Sequence, residues 1–261
     1  MNKLTSSDGT TIAFDRLGEG PPVIVVGGQL CDRAVTRPTA EELAKHFTVI
    51  NYDRRGRGDS GDTQPYAVER EIEDIEDLIA EAGGTASVYA HSSGAALALH
   101  AAAHGLPIAK LVLHEPPYTP AEDVEGQRTS RRDAEKIKTL LAEDRRGDAI
   151  EYLFRGIGMP EETVTGASRN PRTVAMAHTM AYGSEVMGDI ERGGTIPTDL
   201  PEAVTIPTLV LVGGASPAWM IDVGRRLTDA LPKGRHVVLE GQEHVAPPEV
   251  LVPVLAQFFA G

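Results

Sequence analysis

The chain has little of several things that would widen its range of roles. It holds one cysteine, Cys31, in 261 residues, so no intrachain disulfide can form and nothing argues for an oxidising compartment. Basic residues are short: 25 Lys and Arg against 38 Asp and Glu leave a formal net charge of −13, which repels phosphate backbones and argues against nucleic acid as a partner. No apolar run approaches ~20 residues, so no membrane-spanning helix is expected, and Met1 to Asp8 has no apolar core of a signal peptide. Metal-ligand spacings are also poor. His100 and His104 are four apart, but no glutamate follows the first, so the H-E-x-x-H pattern is missing. There is no internal repeat. The expectation is a cytoplasmic protein without metal or organic cofactor, acting on a small molecule, a homodimer being open.

What is present is a repeated alternation of buried strand and amphipathic helix. Val23-Ile24-Val25-Val26, Thr48-Val49-Ile50-Asn51-Tyr52 and Thr208-Leu209-Val210-Leu211-Val212 are continuous runs of the kind buried on both faces of a parallel sheet. Val68, Ile72, Ile75, Leu78, Ile79 and Ala82 fall on one helical stripe, closed by Gly83-Gly84. Thr39-Ala40-Glu41-Glu42 reads as a capping box that starts a helix running to about His46. From 118 to 200 the alternation stops and only helical patterns remain, over Arg131 to Ala142, Asp148 to Phe154 and Thr173 to Tyr182. The fold class is therefore α/β, a doubly wound, mostly parallel sheet. Residues 1–117 and 201–261 form the core, and 118–200 a helical lid over the carboxyl ends of the strands, where such sheets bind ligands.

Residues 56–61 match the G-x-G-x-x-G spacing of a dinucleotide loop. No helix opens directly after them, and Asp59 and Asp62 would repel phosphates, so nucleotide binding is disfavoured. The chemistry-bearing stretch is Val88-Tyr89-Ala90-His91-Ser92-Ser93-Gly94. It is a strand, a serine on a tight turn and a small-residue helix, the G-x-S-x-G pattern with Ala90 in place of the first glycine. A serine needs a base and donors for an oxyanion. His244, on the loop after the last strand, is the candidate base. His91 adjoins the nucleophile and is expected to point elsewhere; His46, His100 and His104 belong to helices. Ser93 N–H and the Gly27-Gly28-Gln29 loop, through Gln29 or Gly28, are the candidate donors. Cys31 lacks an elbow and is disfavoured as nucleophile.

The acid is less determined. After the next-to-last strand, where an aspartate before proline is expected, the chain reads Ser216-Pro217. Glu115, after the strand that follows the nucleophile helix, keeps the order nucleophile, acid, base; Asp222 is the alternative, and the absence of an acid is a third. Met176, His178, Met180, Tyr182 and Met187 of the lid, with Trp219, are candidates for a substrate pocket, although methionines and aromatics are as readily core.

The motifs Gly27-Gly28-Gln29, Asp53-Arg54-Arg55-Gly56-Arg57-Gly58-Asp59-Ser60, Ala90-His91-Ser92-Ser93-Gly94 and Gly241-Gln242-Glu243-His244 together resemble those of the α/β-hydrolase family over the whole chain. Ser92-Ser93-Gly94 with His114-Glu115-Pro116-Pro117 is similar, more narrowly, to zearalenone-type lactonases, a likeness that implies Glu115 as the acid. Gly27 stands where those relatives have a histidine, and the lid holds no tryptophan. The resemblance implies hydrolysis of a carboxylic ester or lactone through an acyl-enzyme on Ser92. Epoxide and haloalkane chemistry would need a carboxylate at 92. A cofactor-free lyase, cyclase or isomerase acting on a polyketide-like molecule, or a ligand-binding receptor that retains the triad, are the alternatives.

Overall fold

Val23-Ile24-Val25-Val26 lacks polar alternation because helices cover both faces of its strand. In the computed structural model, which describes residues 1–261, eight strands form one sheet: β1 (Asn2–Thr5), β2 (Thr11–Leu17), β3 (Pro22–Val26), β4 (Thr48–Tyr52), β5 (Ala86–His91), β6 (Ile108–His114), β7 (Thr208–Gly213) and β8 (Gly234–Leu239). Their spatial order is β1-β2-β4-β3-β5-β6-β7-β8. β2 pairs antiparallel with β1 and β4, and every pairing from β4 to β8 is parallel. The chain belongs to the α/β class expected from its alternation of elements.

Helices α1 (Arg33–Leu43), α2 (Val68–Glu81) and α3 (Ser93–Ala103) fall between the first strands. Seven helices lie between β6 and β7: α4 (Val124–Ala142), α5 (Arg146–Gly156), α6 (Glu161–Arg169), α7 (Pro171–Met176), α8 (Met180–Met187), α9 (Asp189–Arg192) and α10 (Leu200–Ala203), with a 3-10 turn, Ala177–Thr179, joining α7 to α8. α11 (Ala218–Ala230) and α12 (Pro248–Ala260) complete the chain. Leu78 of α2, Leu99 of α3 and Leu227 of α11 share one core layer; Leu43 of α1 and Leu255 of α12 share the layer on the other face of the sheet. No helix is long and apolar enough to cross a membrane.

Two local readings change. α1 starts at Arg33, not at the Thr39 capping box, because the Asp32 side chain accepts from the N–H groups of Ala34 and Val35 and caps the helix earlier. Pro38 sits inside α1, past its first turn, where its missing N–H forfeits one ladder bond. The helix expected over Thr173 to Tyr182 is broken by the 3-10 turn at Ala177–Thr179.

The strand order sets the site. From β3 the chain moves to β4 on one side and then to β5 on the other, so the loops leaving β3 and β5 diverge and open a crevice. The Asp53-Arg54-Arg55-Gly56-Arg57 segment after β4 is tied beneath it by buried ion pairs. Arg54 grips Glu71 of α2 through Nε and Nη2 at 2.6 and 2.7 Å, and Arg55 grips Asp74 at 2.8 Å through the same two nitrogens. Removing one partner of a buried pair strands the other charge. Glu71→Ala is therefore expected to cost about 3–5 kcal/mol in urea unfolding. Replacing Arg54 and Glu71 together by apolar residues should cost less than the Glu71 change alone; a double variant less stable than Glu71→Ala would overturn this account.

Candidate active site

Ser92 stands between β5 and α3 with φ 56° and ψ −128°. A side chain held there stores about 1–3 kcal/mol and persists only when its surroundings dictate it. Its N–H donates to the His114 carbonyl at 2.9 Å, and its own carbonyl accepts from Ala95 N–H at 2.8 Å. The elbow is pressed against the loop after β3. A Cβ on Gly94 would lie 2.5 Å from the Gly27 carbonyl oxygen, and one on Gly28 would lie 3.0 Å from Ser92 Cβ. Gly94 requires glycine for contact, not for backbone freedom, and Gly28 fits only tightly against the elbow. Of the four non-glycine residues with positive φ, three are Leu30, Ser92 and Glu115, so the backbone strain of the molecule gathers at this one edge.

Glu115 follows β6, and its φ of 48° turns the carboxylate back under the loops. The residue is fully buried. Oε2 meets His244 Nδ1 at 2.6 Å. Oε1 accepts from the Gly213 N–H and from the Ser216 hydroxyl, each at 2.6 Å. Burial alone would raise this carboxyl's pKa, but the bonds from His244, Ser216 and Gly213 outweigh it and hold the pKa below the usual range. Ser216, which stands where an aspartate was expected, thus donates to the buried Glu115 carboxylate. Asp222 lies on α11 and pairs with Arg225 and Arg226, away from His244.

His91 departs from the sequence expectation. Its Nε2 bonds to the His244 carbonyl at 2.8 Å, and the two rings are 4.6 Å apart. Residues 89 and 91 of a strand share a face, and on this one the loop into α12 passes over them. Burial, with His244 nearby, pushes the His91 pKa down to about 4, so the ring is neutral and Nε2 carries the proton it donates. His244 is held at Nδ1 and at its carbonyl, and no hydrogen bond joins it to Ser92 Oγ. The N–H groups of Gly28 and Gln29 donate to no protein acceptor. Ser93, as the first residue of α3, has its N–H outside the helix ladder.

The other pocket candidates are spread more widely. Met176 and Met180 pack with Leu30, Ile137 and Ile150, and Met187 packs into the layer around α3. Tyr182 stacks on Tyr66 at 3.8 Å and donates to Asp62 at 2.8 Å. His178 bonds to Asp62 at 3.0 Å. Met176 and His178 line a cavity of about 500 Å³ with Asp32, Asp59 and Arg172, which neither Ser92 nor His244 lines. Trp219 is 43% exposed at the start of α11. His100 bonds to the Val186 carbonyl and His104 to the His100 carbonyl, and no group of three or more metal-ligating side chains converges anywhere.

Ser216→Ala removes one donor from a buried carboxylate and should destabilise the protein by about 1.5–3 kcal/mol at neutral pH. Because folding lowers the Glu115 pKa, the stabilisation is present above the unfolded carboxylate value and is lost as pH falls through the folded one. The gap between wild type and variant in urea midpoints should thus close on acidification; a gap that widens would contradict the assignment.

The chain has relatives among known proteins. A family model described as "Alpha/beta hydrolase family" matches residues 23–253. An alpha/beta hydrolase from Sphaerobacter thermophilus has a solved structure with 49% identity and a TM-score of 0.86, the match covering 99% of this chain and 100% of that one. A thermophilic esterase from Thermogutta terrifontis is 25% identical with a TM-score of 0.75, the match covering 99% and 97% of the two chains. The uncharacterized hydrolase YraK of Bacillus subtilis is 32% identical over 113 residues, 41% of this chain; the match spans 42% of that relative's length.

Proposed function

Because the chain belongs to the alpha/beta hydrolase family, we propose that it cleaves a carboxylic ester or lactone through an acyl-enzyme formed on Ser92. The observation that carries this reading is the 2.6 Å contact between Glu115 and His244 at the sheet edge where the strained Ser92 stands. His244 takes the Ser92 proton as Oγ attacks the carbonyl. Ser93 N–H and Gln29 N–H, with Gly28 beside them, receive the oxyanion. The imidazole returns the proton to the leaving alcohol, and water, activated by the same ring, frees the acid. Glu115 holds the Nδ1–H tautomer and stabilises the imidazolium that forms. Free His244 Nε2 and Ser92 Oγ close to hydrogen-bond distance when substrate fills the crevice, as such pairs commonly do. The segment 118–200 serves as the lid of this crevice, and the Thermogutta terrifontis protein, named an esterase, supports the ester reading.

Turnover of short aryl esters separates the roles. Ser92→Ala should lose activity by about 10⁴-fold or more with the fold intact. Glu115→Gln should lose far more rate than Asp222→Asn, about 10³- to 10⁴-fold against less than threefold. An active Ser92→Ala protein would refute the mechanism, and the reverse order of the two acid variants would reassign the acid.

A further inference from the structure

Arg54, Arg55 and Arg57 lie within four residues of one another, and their side chains are all buried. Two of them are balanced in the same way: Nε and Nη2 of Arg54 grip Glu71, and Nε and Nη2 of Arg55 grip Asp74. Arg57 has no carboxylate partner. Its Nε donates to the Thr179 hydroxyl at 3.2 Å, its Nη1 donates to the Gly28 carbonyl at 2.9 Å, and its Nη2 is buried with no acceptor. Burial, with the like charge of Arg54, pushes its pKa down to about 10. A buried guanidinium with no carboxylate in contact costs folding free energy, and the nearby Glu71 charge is already taken by Arg54, so ion pairing leaves Arg57 unexplained.

Its acceptor suggests what it does. The Gly28 carbonyl belongs to the same peptide unit as the Gln29 N–H. That unit is planar and trans, so the two dipole ends point in opposite directions. Fixing the carbonyl fixes the N–H. Arg54 does the same one unit earlier, its Nη1 donating to the Gly27 carbonyl at 3.2 Å. Neither Gly28 N–H nor Gln29 N–H meets a protein acceptor, and Gly28 lies against Ser92. We propose that Arg57 is a positioning residue for the oxyanion site: its guanidinium locks and polarises the Gly28–Gln29 peptide so that the Gln29 N–H faces the carbonyl oxygen under attack. This rests on the serine mechanism proposed above. Thr179 Oγ1 completes the clamp, because it accepts from Arg57 while donating to the Met176 carbonyl at 2.8 Å, so the 3-10 turn of the helical cover holds the guanidinium in place.

The test uses the full chain with two reagents, a fluorophosphonate that phosphonylates an activated serine and a matched pair of p-nitrophenyl ester and thionoester. In Arg57→Met the phosphonylation rate and kcat should fall about 10- to 100-fold, less than the loss of a whole donor. KM should stay within about twofold of wild type, since the lost interaction acts on the transition state. The melting temperature should be unchanged or higher. The preference for ester over thionoester should also shrink, because the site is shaped for oxygen. Arg57→Lys, which keeps the charge and one donor but not the rigid fork, should fall in between; if the methionine variant does not fold, the lysine variant's ester preference decides. Wild-type rates in Arg57→Met, an unchanged ester preference, or a rate loss that tracks a lower melting temperature would each overturn the assignment. Wild-type protein that the fluorophosphonate leaves unlabelled at Ser92 would refute the serine mechanism itself; a labelled wild type beside an unimpaired Arg57→Met would refute only the role of Arg57.

Discussion

The close approach of two backbones at the crevice between β3 and β5 is the constraint on which the site depends. Gly94 has no room for a methyl group against the Gly27 carbonyl, and Gly28 has only a tight fit against Ser92. That contact lets the sheet impose a conformation on Ser92 that an isolated turn would relax. About 1–3 kcal/mol of strain is small beside the burial of the strands that flank it, but it would empty an unsupported elbow. At Gly94 a larger side chain would push α3 off the loop, while Ala95 and Ala98 are buried in the core layer.

Around that contact the molecule spends its costly interactions. A fully buried glutamate, two buried Arg–carboxylate pairs and three residues with positive φ all surround one sheet edge. Each would be unfavourable alone. They are sustained by one another: the ion pairs fix the segment after β4, Arg54 and Arg57 of that segment bind the Gly27 and Gly28 carbonyls of the loop after β3, and that loop presses on the elbow. On the far side of the elbow, Glu115 is oriented by the Gly213 N–H and the Ser216 hydroxyl before it reaches His244. His91 anchors the carbonyl of the same histidine. His244 is thus held at two points on parts of the chain that belong to the rigid sheet.

Much of the fold was legible in the sequence because both-face burial writes continuous β-branched runs, and these are local. Val23-Ile24-Val25-Val26 and Thr208-Leu209-Val210-Leu211-Val212 needed nothing beyond their own residues. The start of α1 was missed because a stronger signal, the Thr39 capping box, lay inside the helix. β1 was missed because its short run, Asn2-Lys3-Leu4-Thr5, is mostly exposed and becomes a strand only through pairing with β2. Chain order placed Ser92, Glu115 and His244 on one edge. The contacts of Ser216 and His91 could not be read that way, since each depends on which loop crosses overhead. Ser216 was noticed only as a missing carboxylate, when the chemistry left at that position was a hydroxyl donor.

That hydroxyl bears on how a buried carboxylate is tolerated beside His244. The carboxylate that orients an imidazole need not come from a fixed strand; it must reach Nδ1 from a place where its charge is tolerated. Glu115, at the end of β6, is completely buried, and a buried carboxylate holds its charge only when donors surround it. The end of β7 supplies them. The Gly213 N–H is free there because the strand ends, and Ser216 adds a hydroxyl in the turn before α11. An aspartate at 216 would set a second negative charge beside Glu115 Oε1, where like charges repel strongly in a medium that screens poorly. A neutral hydroxyl at 216 therefore suits a buried carboxylate at 115 where a second carboxylate would not.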